Sequence, residues 1–119
     1  MLVATNAILG NRRHDRFEIP IDIVIDDTIR GRVTNIGMGG LYATINKYVD
    51  DFTNHKLELI LPDMSIFLEC ISLRTLVISF HCNHTAVCFK QDTLSDEDKI
   101  SLEDFLEGRG RYDIRKPII

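Results

Sequence analysis

Phe17, Ile19, Ile21, Ile23 and Ile25 are apolar at every second position, with Glu18 and Asp22 between them. A period of two predicts a strand with one buried and one wet face. Pro20 has no amide hydrogen, so this strand carries an unpaired edge or a bulge there. Asp26-Asp27 reads as a turn, and residues 29–36 resume the strand pattern. A glycine-rich corner from Gly37 to Gly40 leads into a third strand through Leu41, Ala43 and Ile45. After a looser stretch at 46–55, strand patterns recur at 56–61, 66–73, 76–82 and 85–89. The breaks between them, Pro62-Asp63, Arg74-Thr75 and Asn83-His84, carry turn chemistry.

The last element is helical. Ser95 is a good N-cap, Asp96, Glu97 and Asp98 complement the positive end of the helix dipole, and Gly108 is placed to stop the helix. Leu102, Phe105 and Leu106 share one face, whereas Ile100 falls off it. Short strands closely spaced by turns, with no helical crossover between them, predict an all-β fold. The expected form is a six- to seven-stranded antiparallel β-barrel with a C-terminal α-helix, since closure disposes of exposed strand edges. The expected organisation is an irregular arm over residues 1–11, the barrel and helix over 12–108, and a tail over 109–119.

Composition adds limits. A chain of 119 residues that is 45% hydrophobic builds one compact core. A net charge of −4 argues against a general nucleic-acid binder. Arginines nevertheless gather near both ends of the chain, at Arg12, Arg13 and Arg16 and again at Arg109, Arg111 and Arg115. A local basic cluster on an acidic chain points to a discrete anion site. No apolar run approaches the roughly 20 residues that span a bilayer, and the first ten residues lack a signal-peptide layout, so a cytoplasmic protein is expected. Cys70, Cys82 and Cys88 lie in strand-like segments without metal-type spacing and read as buried free thiols. His81, Cys82 and His84 read as structural rather than metal-binding, because the segment is short and alternation separates His81 from Cys82. No nucleophile elbow is visible, and no catalytic role is expected.

Two short sequences carry chemistry. The first is Arg12-Arg13-His14-Asp15-Arg16, just before the first strand. Arginine presents a planar fork of donors that suits phosphate oxygens and guanine edges, and it stacks on bases. Each charge-assisted contact contributes about 1.5–3 kcal/mol, offset by the cost of ordering the segment. The second is Asn35-Ile36-Gly37-Met38-Gly39-Gly40, at the corner between the second and third strands. Its glycines let a flat base approach the backbone, and Asn35 offers an amide that can pair with a nucleobase edge. If the first two strands are antiparallel neighbours, both sequences converge at one end of the barrel.

In order and spacing, Arg12-x-x-x-Arg16 followed by Asn35-x-Gly37-x-x-Gly40 resembles the signature of the PilZ domain, Arg-x-x-x-Arg and then (Asp/Asn)-x-Ser-x-x-Gly. The resemblance runs from Arg12 to Leu106 and implies a receptor for the bacterial second messenger cyclic di-GMP, with no other cofactor. It implies that Arg12 and Arg16 hold the phosphates and meet guanine, that Arg13 adds a contact and that Asn35 bonds a guanine edge. Gly40, within the Gly37–Gly39–Gly40 corner, would allow the tight turn and close approach. Gly37 departs from the pattern, standing where the family has serine. The missing hydroxyl costs about 0.5–1.5 kcal/mol of hydrogen bonding, or up to about tenfold in affinity. A monomer or homodimer is expected, acting on a separate protein partner in motility, adhesion, biofilm or exopolysaccharide pathways. The alternative is a ligand-independent adaptor with a degenerate nucleotide site.

Overall fold

The computed structural model describes residues 16–115. Six antiparallel strands close into a barrel in the order β1-β2-β3-β6-β5-β4. They are β1 (Asp22–Ile25), β2 (Ile29–Ile36), β3 (Gly40–Ile45), β4 (Asn54–Ile60), β5 (Ser65–Ser79) and β6 (Cys82–Phe89). A single 3-10 turn (Gln91–Thr93) leads into helix α1 (Asp96–Arg115). Closure comes from β1, which pairs with β2 on one side and β4 on the other.

The interior is filled by the inward positions of every strand, among them Ile23, Ile25, Val33, Leu41, Ala43, Ile45, Leu57, Leu59, Ile66 and Val87. The period-two stretch from Phe17 keeps its alternation, but only Asp22–Ile25 forms ladder. Around Pro20 the chain leaves the sheet, although the Ile21 carbonyl still accepts the Val33 amide at 2.8 Å. The Asp26-Asp27 turn forms as expected, with both residues at positive φ (52° and 66°). Aspartate is among the few side chains that tolerate this region, because its short polar group bonds locally.

Three sequence expectations change. First, 66–73 and 76–82 form one strand, and Arg74-Thr75 is not a turn. β5 serves two neighbours: its first half pairs with β4 and its second with β6, and Thr75 is buried against the Thr85 hydroxyl at 3.0 Å. The true turn is Phe80-His81, while Asn83 is buried within β6 and paired with both Val77 and Ile45. Second, Gly108 does not stop the helix. No described glycine has positive φ, so Gly108 lacks the left-handed geometry of a cap and α1 runs on to Arg115. Third, only Cys70 is a buried thiol; Cys82 is half-buried and Cys88 exposed, because alternation turns Cys88 outward beside buried Val87 and Phe89.

The start of α1 follows its sequence. The Ser95 hydroxyl accepts the Asp98 amide at 3.1 Å, which is an N-cap. Leu102 and Leu106 are fully buried with Phe105 packed beside them, and Ile100 is exposed. Among the described residues no helix is long and apolar enough to cross a membrane.

Candidate functional site

Phe17 is the residue that seats the site. Outside the strands, it makes an isolated antiparallel bridge with Ile36, the two exchanging N–H···O bonds of 2.8 and 2.9 Å. The bridge brings Arg16 alongside the end of β2. There the Arg16 guanidinium donates to Asn35 Oδ1 at 3.1 Å and lies over the Tyr42 ring, 5.1 Å from its centroid. A cation at that height is attracted by the ring's negative face. Arg16 and Asn35, separated by 19 positions, are thus one contact, with Tyr42 beneath them.

A β-bulge gives Asn35 its outward position. In the β2–β3 ladder Val33 pairs with Ala43 and Asn35 with Tyr42, so Thr34 is an inserted residue. Without it, inward-facing Ile29 and Val33 would put Asn35 inside the barrel as well. The insertion shifts the phase, so that Ile36 is buried and Asn35 stays accessible beside Arg16. The Thr34 hydroxyl donates to the Tyr42 carbonyl at 3.1 Å and steadies the bulge.

The Gly37–Gly40 corner is held at several points. Gly37 N–H donates to the Gly40 carbonyl, Phe89 N–H to the Gly39 carbonyl, and the Gln91 amide to the Met38 carbonyl, each at 2.9 Å. The reason for glycine at 40 is close approach. A Cβ there would come 2.2 Å from the Val87 carbonyl oxygen, which is fixed backbone. No glycine of this corner has positive φ, so left-handed geometry is not what requires them.

Beside Tyr42 the outer surface forms a cleft of about 330 Å³ across β2, β3, β6 and β5. Thr34, Tyr42, Ala86, His84, Leu76 and Arg74 contribute to it, and no carboxylate lines it. Of the residues expected from sequence, Arg16 and Asn35 meet directly, and Gly37, Gly39 and Gly40 form the corner that follows. Arg12 and Arg13 lie outside the described residues. Sequence reasoning missed Tyr42. The available signal was its place on the polar face of β3, two residues after the glycine corner.

Other polar clusters lie elsewhere. At the opposite end of the β1–β2 hairpin, Asp26 Oδ2 meets His55 Nδ1 at 2.7 Å, and His55 Nε2 meets the Thr53 hydroxyl at 2.6 Å. Burial raises the Asp26 pKa, but the His55 hydrogen bond, the Lys56 amide and the electrostatic influence of His55 and Lys56 outweigh it, leaving the carboxyl below its usual value. The Cys70 thiol is pushed up to about 12 by burial, with Asp26 and Cys88 adding to the effect. It is therefore a poor nucleophile near neutral pH. No group of three or more metal-ligating side chains occurs among the described residues.

Solved structures share this architecture at low sequence identity. The Bacillus subtilis inhibitor of motility MotI/DgrA gives a TM-score of 0.69 at 18% identity, over 82% of this chain and 50% of its own. The PilZ domain of Escherichia coli YcgR, solved with c-di-GMP, gives 0.68 at 13% identity, over 90% of this chain and 96% of its own. The fold is PilZ-like. Borreliella burgdorferi PlzA, in complex with c-di-GMP, gives 0.56 at 14% identity, over 87% of this chain and 45% of its own. The chain thus spans half or less of MotI/DgrA and PlzA, but nearly all of the isolated YcgR domain. No protein-family model and no curated sequence matches the chain.

Proposed function

We propose that this PilZ-like barrel is a receptor for cyclic di-GMP, binding it at the Arg16–Asn35–Tyr42 corner and the adjoining outer face. The observation that carries the reading is the Arg16–Asn35 contact over Tyr42. It joins the two motif sequences on a fold shared with proteins solved in complex with c-di-GMP. In this reading Arg16, with Arg12 and Arg13 upstream, neutralises the phosphates, and Asn35 meets a guanine edge. Binding exchanges the internal Arg16–Asn35 bond, in which only the donor is charged, for guanidinium–phosphate bonds in which both partners are charged and which form bidentately. The role is recognition without catalysis.

The output is a separate protein, and the inhibitor-of-motility neighbour supports motility machinery as its class. A second reading, a ligand-independent adaptor, is favoured by one residue: Gly37, where the resembled signature has serine. NMR titration of the isotope-labelled chain with cyclic di-GMP separates the two. The receptor reading predicts amide shifts concentrated from Asn35 to Tyr42 and absent from the Asp26–His55 end. An unchanged spectrum at millimolar ligand would leave the adaptor.

A further inference from the structure

The cleft beside Tyr42 is lined by an arginine that neither motif contains, Arg74. Following the strand register, Asn35 on β2 pairs with Tyr42 on β3, Tyr42 with Ala86 on β6, and Ala86 with Arg74 on β5. These four residues form one rung across the sheet. At about 4.8 Å per strand the rung spans about 14 Å, with Arg16 above one end and Arg74 at the other.

Both ends of the rung are bulged. Thr34 is the inserted residue in β2, and Leu73 is its counterpart in β5, where Ser72 pairs with Val87 and Arg74 with Ala86. The second bulge works as the first does. Leu68, Cys70 and Ser72 face inward, and the insertion makes Thr75 the next inward residue, keeping Arg74 outside. Bulges next to binding sites commonly re-aim a side chain in this way.

Between the two arginines the floor is low and apolar. Ala86 leaves space at the middle of the rung, with Tyr42 on one side and Leu76 on the other. Such a surface takes the flat face of a base and not a phosphate, which needs donors. Arg74 is exposed at the rim and makes no side-chain hydrogen bond or ion pair among the described residues. Its guanidinium fork is unspent.

We propose that Arg74 is a base-recognising residue of this site: one guanine lies over Ala86 against Tyr42, and Arg74 donates two hydrogen bonds to its O6 and N7. This rests on the cyclic di-GMP reading and adds the source of its base selectivity. O6 and N7 are both acceptors in guanine, whereas adenine offers N7 beside an amino donor, so a bidentate arginine discriminates between them. The charge on the phosphates is left to Arg16.

The test is calorimetric titration of the native chain, Arg74→Ala, Arg74→Lys and Arg16→Ala with cyclic di-GMP and with cyclic di-AMP, each variant first checked by thermal melting. Arg74→Ala is expected to weaken cyclic di-GMP binding about tenfold or more while changing cyclic di-AMP binding little, so that the preference for guanine shrinks. Arg74→Lys keeps the charge but loses the fork, and is expected to leave the preference reduced. An equal loss for both ligands, or native selectivity in Arg74→Ala while Arg16→Ala still weakens binding, overturns the role of Arg74 and leaves the receptor reading standing. Absence of cyclic di-GMP binding by the native chain overturns both.

Discussion

Asn35, Arg16 and Gly37 show how much depends on single side chains at the corner. Asn35 Oδ1 is occupied by the Arg16 guanidinium at 3.1 Å, which holds both groups at the mouth of the site. Gly37 supplies an amide to the Gly40 carbonyl but no side chain, and its φ is not in the left-handed region, so the backbone permits serine there. Gly37→Ser is therefore expected to fold and to tighten cyclic di-GMP binding by up to about tenfold, the worth of one hydrogen bond. Weaker binding in a folded variant would show that a hydroxyl at 37 obstructs the ligand. Asp26 governs a different property. Its folded pKa is lowered, so its contribution to stability is present above the unfolded value of about 3.9 and is lost as pH falls through the lower folded value. Asp26→Asn should melt below the native chain near about pH 7, with the gap closing on acidification below about pH 4. A gap that stays constant with pH would assign the loss to something other than the carboxylate's charge.

At the scale of elements, the helix supplies the clearest prediction. Gly108 lies inside α1 at negative φ, and a Cβ there would meet nothing within 4 Å. Gly108→Ala should stabilise the protein by about 0.5–1 kcal/mol through lost unfolded-state freedom, read as a higher melting temperature. A lower melting temperature would mean that residue 108 does end the helix. The same glycine marks where sequence reading stopped short: a glycine after an apolar face looks like a cap whether or not the chain turns left-handed. The strands were legible where period two held, as from Ile29 to Val33 and from Leu41 to Ile45. β5 was misread at its bulge, because Arg74-Thr75 in the middle of a long strand has the composition of a turn. Half of the corner was visible as a motif. Tyr42 was not, since an aromatic residue on an outward strand position gains meaning only when Arg16 is placed above it. Arg74 stayed hidden for a related reason: only the register across β6 puts it on the rung of Asn35.

For the whole molecule, closure does two things at once. It leaves no continuous free edge around the barrel, and it makes a curved face on which residues 35, 42, 86 and 74 stand in register, with Arg16 bonded to Asn35 at one end. The chain as a whole is acidic, at −4, yet this face carries Arg16 and Arg74 with no carboxylate lining its cleft. That contrast suits a compact anion with planar bases better than a long polyanion. The most direct test of the account is isothermal titration of the native chain with cyclic di-GMP, run beside Arg16→Ala. The account predicts saturable heat for the native chain and at least about a tenfold loss of affinity in the variant, since a charge-assisted contact is worth about 1.5–3 kcal/mol. No heat from the native chain, or equal affinity in Arg16→Ala, would contradict it.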